Sequence, residues 1–275
     1  MNILVVGLGI IGASYAKGLK DKGYTIYGVD IKEDTIKYAL DNNIIDYGSI
    51  EASDYISKAD LIILGLYPFA ILEFLKKYNH LFNSNLVITD VCGVKRYFIY
   101  EAYELAKPAH YITHHPMAGR EKVGITFSDP KIFNGANFLI IDYKVNENEI
   151  DLLKNIAHDL SFGKISIISP EKHDKMIGFT SQLTHAIAVS LVNSDTEDDT
   201  NRFIGDSYRD LTRIAKINKE LWSELFLSNK DYLINEIENF VTELAKLKKC
   251  LENDDDNTLK EIFEKAKDKR EKMEK

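Results

Sequence analysis

The stretch MNILVVGLGIIGASYAKGLKDKGYTIYGVD (residues 1–30) has the pattern of a strand, a glycine turn, a helix and a second strand. Its continuous apolar run at residues 3–6 is typical of a strand buried on both faces of a sheet. Gly7, Gly9 and Gly12 follow with the spacing G-x-G-x-x-G, which lets a backbone turn approach a pyrophosphate. The next helix then offers its N-terminal N–H groups to the phosphates.

An acidic residue at the end of the second strand indicates which dinucleotide binds. Asp30 stands where a carboxylate accepts hydrogen bonds from the ribose hydroxyls of NAD and repels the extra phosphate of NADP. Lys32 nearby softens this preference, and the alternative role of Asp30 is to cap a helix that begins there. We predict NAD as the cofactor, bound by Gly7, Leu8, Gly9, Ile10, Ile11, Gly12, Asp30 and Leu66.

Five further apolar segments are predicted to be strands, at residues 61–66, 86–91, 111–115, 137–142 and 165–169. Helical stretches separate most of them, which indicates a mostly parallel sheet. The sequence thus predicts an α/β Rossmann-type dinucleotide-binding domain over residues 1–168. Ligand sites in such sheets lie at the carboxyl ends of the strands. We therefore expect the loops GLYP (65–68), TDVCGVK (89–95) and HHPMAGRE (114–121) to line one crevice.

From Ser169 onward the pattern indicates helices only, and we predict an all-α substrate and dimerisation domain over residues 169–275. Ser169 and Pro170 have the types of an N-cap and a first helical residue. One face of the helix that follows carries a stripe of small and polar residues, which suits a cavity wall better than a packed core. The stripe consists of Asp174, Gly178, Ser181, His185 and Ala188.

The C-terminal segment has apolar residues at heptad-like spacing, at positions 233, 237, 240, 244, 247 and 251. Such a seam is typical of a helix that packs against a partner helix, and it favours a homodimer. An intramolecular helical bundle fits the same spacing. Thr258 and Glu261 match a capping box that would begin the last helix.

The composition excludes several classes of function. A net charge of −8 argues against nucleic acid as a partner and means that an anionic substrate needs a locally basic site. No apolar run approaches the length of a membrane span, and no basic leader precedes the first strand, so we predict neither a membrane association nor a signal peptide. Cys92 and Cys250 do not suggest a disulfide framework, which favours a cytoplasmic location. No metal site is predicted.

Several motifs resemble those of one enzyme family. GLGIIGAS, TDVCGVK, HHPMAGRE, SPEKHDKMIGFTSQLTHAIA and GDSYRDLTRIAKINKELW occur in the order seen in prephenate dehydrogenases and their arogenate-using relatives. The resemblance extends from Met1 to about Tyr232, and HPMAG and RDLTRIA are more specific than the glycine turn. It implies a homodimeric enzyme that carries out the NAD-dependent oxidative decarboxylation of prephenate to 4-hydroxyphenylpyruvate in tyrosine biosynthesis.

The resemblance also implies the roles of individual residues. His115, which precedes the proline of HPMAG, matches the catalytic histidine, and a neutral histidine is an apt acceptor for the proton of the ring hydroxyl. His185 matches a second site histidine, and Arg213 matches the arginine that binds a substrate carboxylate. The remaining predicted substrate-binding residues are Arg120, Gln182 and Trp222. For these side chains the alternatives are core packing or a place on the protein surface.

His114 is expected to be structural, because neighbouring side chains in a strand face opposite ways. Two departures from the family pattern stand out. Gly93 replaces a serine that contacts the catalytic histidine and the substrate hydroxyl in many relatives, and the neighbouring Cys92 is only a weak donor. Gln182 stands where relatives have a histidine in the pattern S-H-L-P-H.

Three competing functions remain open at this point. The nearest is arogenate dehydrogenase, which forms tyrosine from a substrate that has an amino group in place of the side-chain keto group. Another 3-hydroxyacid or imine-reducing dehydrogenase would share the domain plan but would not explain HPMAG together with RDLTRIA. A catalytically impaired dinucleotide-binding regulatory dimer is suggested by Gly93. The presence of His115, His185 and Arg213 together argues against it.

Overall fold

The computed structural model describes residues 1–120 and 122–274. Glu121, at the end of the predicted HHPMAGRE loop, lies outside the described residues. Contacts between Cα atoms divide the chain into two compact units, which comprise residues 1–229 and the residues from 230 onward.

The main sheet of the first unit has six parallel strands, in the order β3-β2-β1-β4-β5-β6. They are β1 (Asn2–Val6), β2 (Thr25–Val29), β3 (Tyr47–Ser49), β4 (Leu61–Leu64), β5 (Val87–Asp90) and β6 (His110–Tyr111). The strand order runs one way from β1 to β3 and the other way from β4 to β6. The carboxyl ends of β1 and β4 therefore flank a topological switch point, where open α/β sheets bind their ligands.

Helices cover both faces of this sheet, as a parallel sheet requires. They are α1 (Ile10–Lys20), α2 (Glu33–Asp41), α3 (Pro68–Tyr78), α4 (Ile99–Ala106) and α5 (Glu147–Asp159). Alternate residues of one strand supply two different cores, since successive side chains point to opposite faces. Leu4 and Val6 of β1 pack in the core with α3 and α4. Ile3 and Val5 pack in the core with α1 and α5.

A second sheet of three strands holds the histidine pair. It consists of β7 (His114–Pro116), β8 (Phe138–Ile141) and β9 (Ile165–Ile168), with β7 antiparallel and β9 parallel to β8. The predicted single strand at 111–115 is therefore wrong. The Ile112 N–H still bonds the Ile88 carbonyl at 3.0 Å, whereas the Thr113 carbonyl accepts from the Ile141 N–H at 3.0 Å. The chain changes sheets between these two residues.

Four helices complete the first unit: α6 (Pro170–Ile177), α7 (Leu183–Asn193), α8 (Asp206–Thr212) and α9 (Lys219–Ser228). The Ser169 hydroxyl accepts from the Lys172 N–H at 3.2 Å, which confirms the predicted N-cap. The sequence predicts one continuous helix after Ser169. The structure has two helices instead, because a π-helical turn at Gly178–Gln182 separates α6 from α7. Such turns widen a helix locally and often occur at functional sites.

The second unit contains α10 (Lys230–Glu252) and α11 (Asp256–Lys272). The N-cap of α11 is Asp255, whose carboxylate accepts from the Thr258 N–H at 3.1 Å. The predicted capping box at Thr258 is wrong, because this aspartate three residues earlier already satisfies the amide. Along α10, Ile237, Phe240, Leu244 and Leu251 of the heptad-like seam are exposed. Among the described residues, no helix is long and apolar enough to cross a membrane.

Candidate active site

The glycine turn between β1 and α1 has the local geometry of a pyrophosphate site. Gly7 has φ +86°, and a Cβ there would lie 2.5 Å from the Gly65 carbonyl oxygen. A Cβ on Gly12 would collide with the Gly7 carbonyl, whereas a Cβ on Gly9 would meet nothing within 4 Å. Gly9 is also the N-cap of α1 and makes no side-chain cap bond. The open face at Gly9 and the uncapped helix N-terminus together fit a dinucleotide phosphate.

The predicted cofactor-binding side chains surround this turn. Leu8 is buried, Ile10 and Ile11 are half-buried, and a Leu66 methyl lies 2.9 Å from the Cβ position of Gly7. Asp30 follows β2 and accepts from the Leu8 N–H at 2.9 Å and from the Lys32 N–H at 3.0 Å. The N-cap of α2 is Lys32, so Asp30 does not occupy that position. A carboxylate has about four acceptor positions, so Asp30 retains capacity for a ribose hydroxyl.

His114 is a core residue of the first unit. Its Nε2 lies 2.8 Å from the Tyr15 hydroxyl and its Nδ1 lies 2.8 Å from the Thr89 hydroxyl. The ring stacks on Phe138 with centroids 4.6 Å apart. Burial, together with the nearby charge of Lys95, lowers the pKa of His114 to about 3. His114 is therefore neutral at physiological pH and has both ring nitrogens occupied.

His115 faces the opposite way from His114 and meets α6. Its Nδ1 lies 2.9 Å from Nε2 of His173, and the Nδ1 of His173 lies 2.6 Å from the Asp174 carboxylate. Burial, followed by the interactions with His173, Lys95 and His114, lowers the pKa of His115 well below its usual value. Because its imidazole is neutral, His115 can accept a proton and act as a base.

The Asp174 carboxylate ties α6 to the loop after β5. It accepts from the backbone N–H groups of Lys95 at 2.9 Å and Arg96 at 2.7 Å, in addition to His173. Within that loop, a Cβ on Gly93 would lie 3.8 Å from Nε2 of His115 and 3.7 Å from a Leu225 methyl. Gly93 thus lies beside the second ring nitrogen of His115.

A buried ion pair between Lys95 and Asp90 stabilises the same loop. The Lys95 ammonium donates to Asp90 at 2.8 Å, to the Thr113 hydroxyl at 2.6 Å and to the His114 carbonyl at 2.7 Å, and neither charged side chain is exposed. Burial alone raises the pKa of Asp90, but the charge and hydrogen bonds of Lys95, with Thr113 and Tyr111, bring the pKa below its usual value. Asp90 and Lys95 are therefore structural ions of the TDVCGVK motif.

Cys92 in this loop is an inert thiol. Its side chain is buried, and burial raises its pKa to about 12. A thiol with such a pKa is protonated at neutral pH and is not a nucleophile.

His185 and Trp222, both predicted site residues, contact each other in the helical part of the first unit. The two rings stack with centroids 3.6 Å apart and an interplanar angle of 29°. The Nδ1–H of His185 donates to the Ser181 carbonyl at 2.8 Å, since a carbonyl can only accept. Arg213 begins a short 3₁₀ turn after α8 and is exposed.

Two predicted substrate-binding residues have their polar groups bound to protein partners. Gln182 is buried in the π-helical turn, where its amide donates to the Leu225 carbonyl at 2.9 Å and accepts from the Asn229 amide at 2.8 Å. Arg120 is exposed and pairs with Asp129 at 2.9 Å. The geometry of Gln182 is that of a helix-packing residue.

Comparisons with known proteins agree with this architecture. Residues 15–164 match the family model of the prephenate dehydrogenase nucleotide-binding domain, and residues 169–265 match that of the prephenate dehydrogenase dimerization domain. The chain belongs to the prephenate dehydrogenase family. The matches confirm the predicted fold class, a Rossmann-like domain followed by a helical one, and the dimerization model supports the predicted homodimer.

Individual relatives cover nearly the whole chain. The prephenate dehydrogenase of Lactococcus lactis is 31% identical over 99% of this chain and 77% of its own length. The Bacillus subtilis prephenate dehydrogenase is 28% identical over 98% and 75%. The structure of Aquifex aeolicus prephenate dehydrogenase in complex with hydroxyphenyl propionate and NAD+ has a TM-score of 0.91, at 30% identity over 99% of this chain and 98% of that one.

Of the four side chains that hold His115 and its loop, the sequence indicated only Asp174, as a member of the polar stripe, and not its contacts. The roles of Asp90, Lys95, His173 and Asp174 depend on contacts between segments distant in the chain. All four lie in the motifs that carry the resemblance, TDVCGVK and EKHDK. Asp90 and Lys95 adjoin apolar residues, and this was the available signal, because buried charges require partners. His173 and Asp174 lie in the charged segment EKHDK, where no such signal exists.

Proposed function

We propose that this chain catalyses the NAD-dependent oxidative decarboxylation of prephenate to 4-hydroxyphenylpyruvate, a step of tyrosine biosynthesis. The observation that carries the proposal is His115, a neutral histidine held at the loop after β5 in a chain whose glycine turn fits NAD.

The residues of the chain have distinct tasks in this reaction. Bound NAD supplies the hydride acceptor, and Gly9, the α1 N-terminus and Asp30 would hold it. His115 accepts the proton of the ring hydroxyl at Nε2 as the ring carbon becomes a ketone. The ketone then withdraws electrons from the carbon that loses carbon dioxide, and the ring becomes aromatic. Proton transfer of this kind contributes about 10²–10⁴-fold to a rate.

The helical side of the site binds the substrate anion in this proposal. Arg213 offers a guanidinium for one carboxylate, and His185 with Trp222 forms a flat wall beside it. Arg120 adds positive charge although Asp129 partly neutralises it. Gln182 is assigned to helix packing instead, because both ends of its amide are bound within the protein.

Steady-state NADH formation with prephenate and with arogenate tests the proposal. We expect turnover of prephenate with NAD and a much lower kcat/KM with NADP. A strong preference for arogenate would make the chain an arogenate dehydrogenase, and a relative from Zymomonas mobilis at 27% identity is named cyclohexadienyl dehydrogenase. Absence of turnover with both substrates would contradict the proposal.

We further propose a cytoplasmic location for this enzyme. Both cysteines are free thiols, and Cys92 is buried in the loop after β5. Reduced cysteines are typical of proteins that work in a reducing compartment.

A further inference from the structure

His115 stands at the end of a chain of three side chains that runs inward from the site. Asp174 lies at the inner end, His173 is between them, and both are fully buried. The His115 and His173 rings meet edge to face, with centroids 5.1 Å apart. Among the described residues, the His115 ring makes one hydrogen bond, and its partner is His173.

The protons of this chain can be placed by elimination. An ionised carboxylate only accepts, so the proton between Asp174 and His173 lies on Nδ1 of His173. Burial lowers the pKa of His173, and a neutral imidazole has a single N–H, so its Nε2 is an acceptor. The Nδ1 of His115 must then be the donor. The lone pair of His115 is consequently left on Nε2, the atom that lies beside Gly93.

We propose that His173, oriented by Asp174, is a positioning residue that fixes His115 in the Nδ1–H tautomer and aims its Nε2 lone pair into the active site. This inference rests on the proposed function, because it assigns His115 the role of base. Gly93 makes the arrangement necessary: glycine has no side chain that could orient the ring from the Nε2 side. A neutral histidine without a fixed partner exchanges between two tautomers, and one of them has a proton where the base needs a lone pair.

Two substitutions separate this role from simple core packing. His173→Gln places an amide oxygen near the position of Nε2, where it can still accept from His115. His173→Leu fills a similar volume but has no acceptor. A packing role predicts that leucine is the better replacement, whereas a positioning role predicts that glutamine is.

The first measurement is the tautomer of His115 by ¹⁵N NMR of the full-length protein without substrate, with His115→Asn to assign the signals. We expect one Nδ1–H tautomer in the natural protein and in His173→Gln, and a mixture in His173→Leu. An Nε2–H tautomer in the natural protein would overturn the proposal, even if neither variant folds.

The second measurement is the kcat of the same variants with the preferred substrate. Loss of the group that orients a metal-binding histidine costs about 10- to 100-fold in affinity or activity. We expect a kcat loss of that size in His173→Leu with unchanged NAD affinity, and a kcat within a few-fold of natural in His173→Gln. Equal losses in both variants would overturn the proposal. If the natural protein turns over neither prephenate nor arogenate, the proposed function fails, while the tautomer measurement still decides the role of His173.

Discussion

At the scale of single residues, the two adjacent histidines have opposite environments. His115→Asn removes the proposed base, and we expect kcat to fall by about 10²–10⁴-fold while NAD binding is retained. His114→Asn removes a core residue that contacts Tyr15 and Thr89, so its kcat should change much less. Steady-state kinetics with NAD titration checks both. A larger loss of kcat in His114→Asn would show that the roles of the pair are reversed.

Gly93 lies next to Nε2 of His115, so a side chain at this position would lie beside the proposed base. The Cβ position has only ordinary contacts at 3.7–3.8 Å, so Gly93→Ser should fold with a stability change within about 0.5 kcal/mol. Its hydroxyl would reach the space between His115 and the substrate hydroxyl. One added hydrogen bond contributes about 0.5–1.5 kcal/mol, so we expect kcat/KM to rise by roughly 2- to 10-fold. Gly93→Ala is the matched control, and an equal rise there would exclude the hydrogen bond as the cause.

The sequence was sufficient to predict the opposite orientations of His114 and His115, because alternation in a strand is a local property. It was not sufficient for the pairing of His115 with His173, since the two residues are brought together only by the packing of α6 on the loop after β5. Local periodicity contains no information about such a contact.

At the scale of elements, the π-helical turn between α6 and α7 is held to α9 by Gln182 and Asn229. Gln182→Leu would leave the Leu225 carbonyl and the Asn229 amide without this partner. Each orphaned buried group costs about 1–3 kcal/mol, and we expect a corresponding loss in the free energy of unfolding, measured with urea. Ser190→Ala, at an exposed position of α7, is the control and should change stability little.

The same variant distinguishes two roles for Gln182. If Gln182→Leu retains its stability but raises the KM for the substrate severalfold, Gln182 binds substrate as the sequence predicted. Helical periodicity could not reveal the packing role of Gln182. A regular α-helical spacing assigns each residue to one face of the helix, and the π-helical turn changes that assignment.

The strands and helices themselves followed well from local patterns. The glycine turn, the strands that begin near residues 61 and 86, and the N-cap at Ser169 are all present. The break after Tyr111 was not predicted, because apolar residues continue through it while the hydrogen bonds change from one sheet to the other. Periodicity identifies a strand and does not identify its partner.

At the scale of the whole molecule, the exposed seam of α10 and the match to a dimerization domain lead to a prediction about assembly. We expect a homodimer by light scattering at micromolar concentration. Leu244→Lys together with Phe240→Lys places charges on the seam and should shift the protein toward a monomer. Lys246→Glu, at an exposed position off the seam, is the control. A natural protein of monomeric mass would contradict the prediction.

Acid should destabilise the folded protein through its neutral buried histidines. The pKa of His114 is about 3 when folded and about 6.5 when unfolded, so the unfolded state binds more protons between these values. The contribution of neutral His114 to the free energy of unfolding is therefore fully present above about pH 6.5 and is lost as the pH falls toward 3. One such histidine costs about 2 kcal/mol between pH 7 and pH 5.

Urea unfolding at pH 7 and pH 5 measures this dependence. His114→Asn should reduce the loss between the two pH values by about 2 kcal/mol, although it destabilises the protein at pH 7. Ser190→Ala, at an exposed position and without a titratable side chain, should leave the pH dependence unchanged. An unaltered dependence in His114→Asn would mean that other groups account for the acid sensitivity.

The buried ammonium of Lys95 affects how the folded protein unfolds. Its three acceptors belong to β5, to the link between the two sheets and to β7. Moving Asp90 away would leave two unpaired charges in an apolar interior, and breaking a buried pair in this way costs about 3–5 kcal/mol. Releasing the Thr113 hydroxyl or the His114 carbonyl would take a hydrogen bond from the same buried ammonium. Opening either sheet alone at this point is therefore unfavourable. The lysine makes their separation a single cooperative event, so partly opened forms at the catalytic end of the sheet are suppressed.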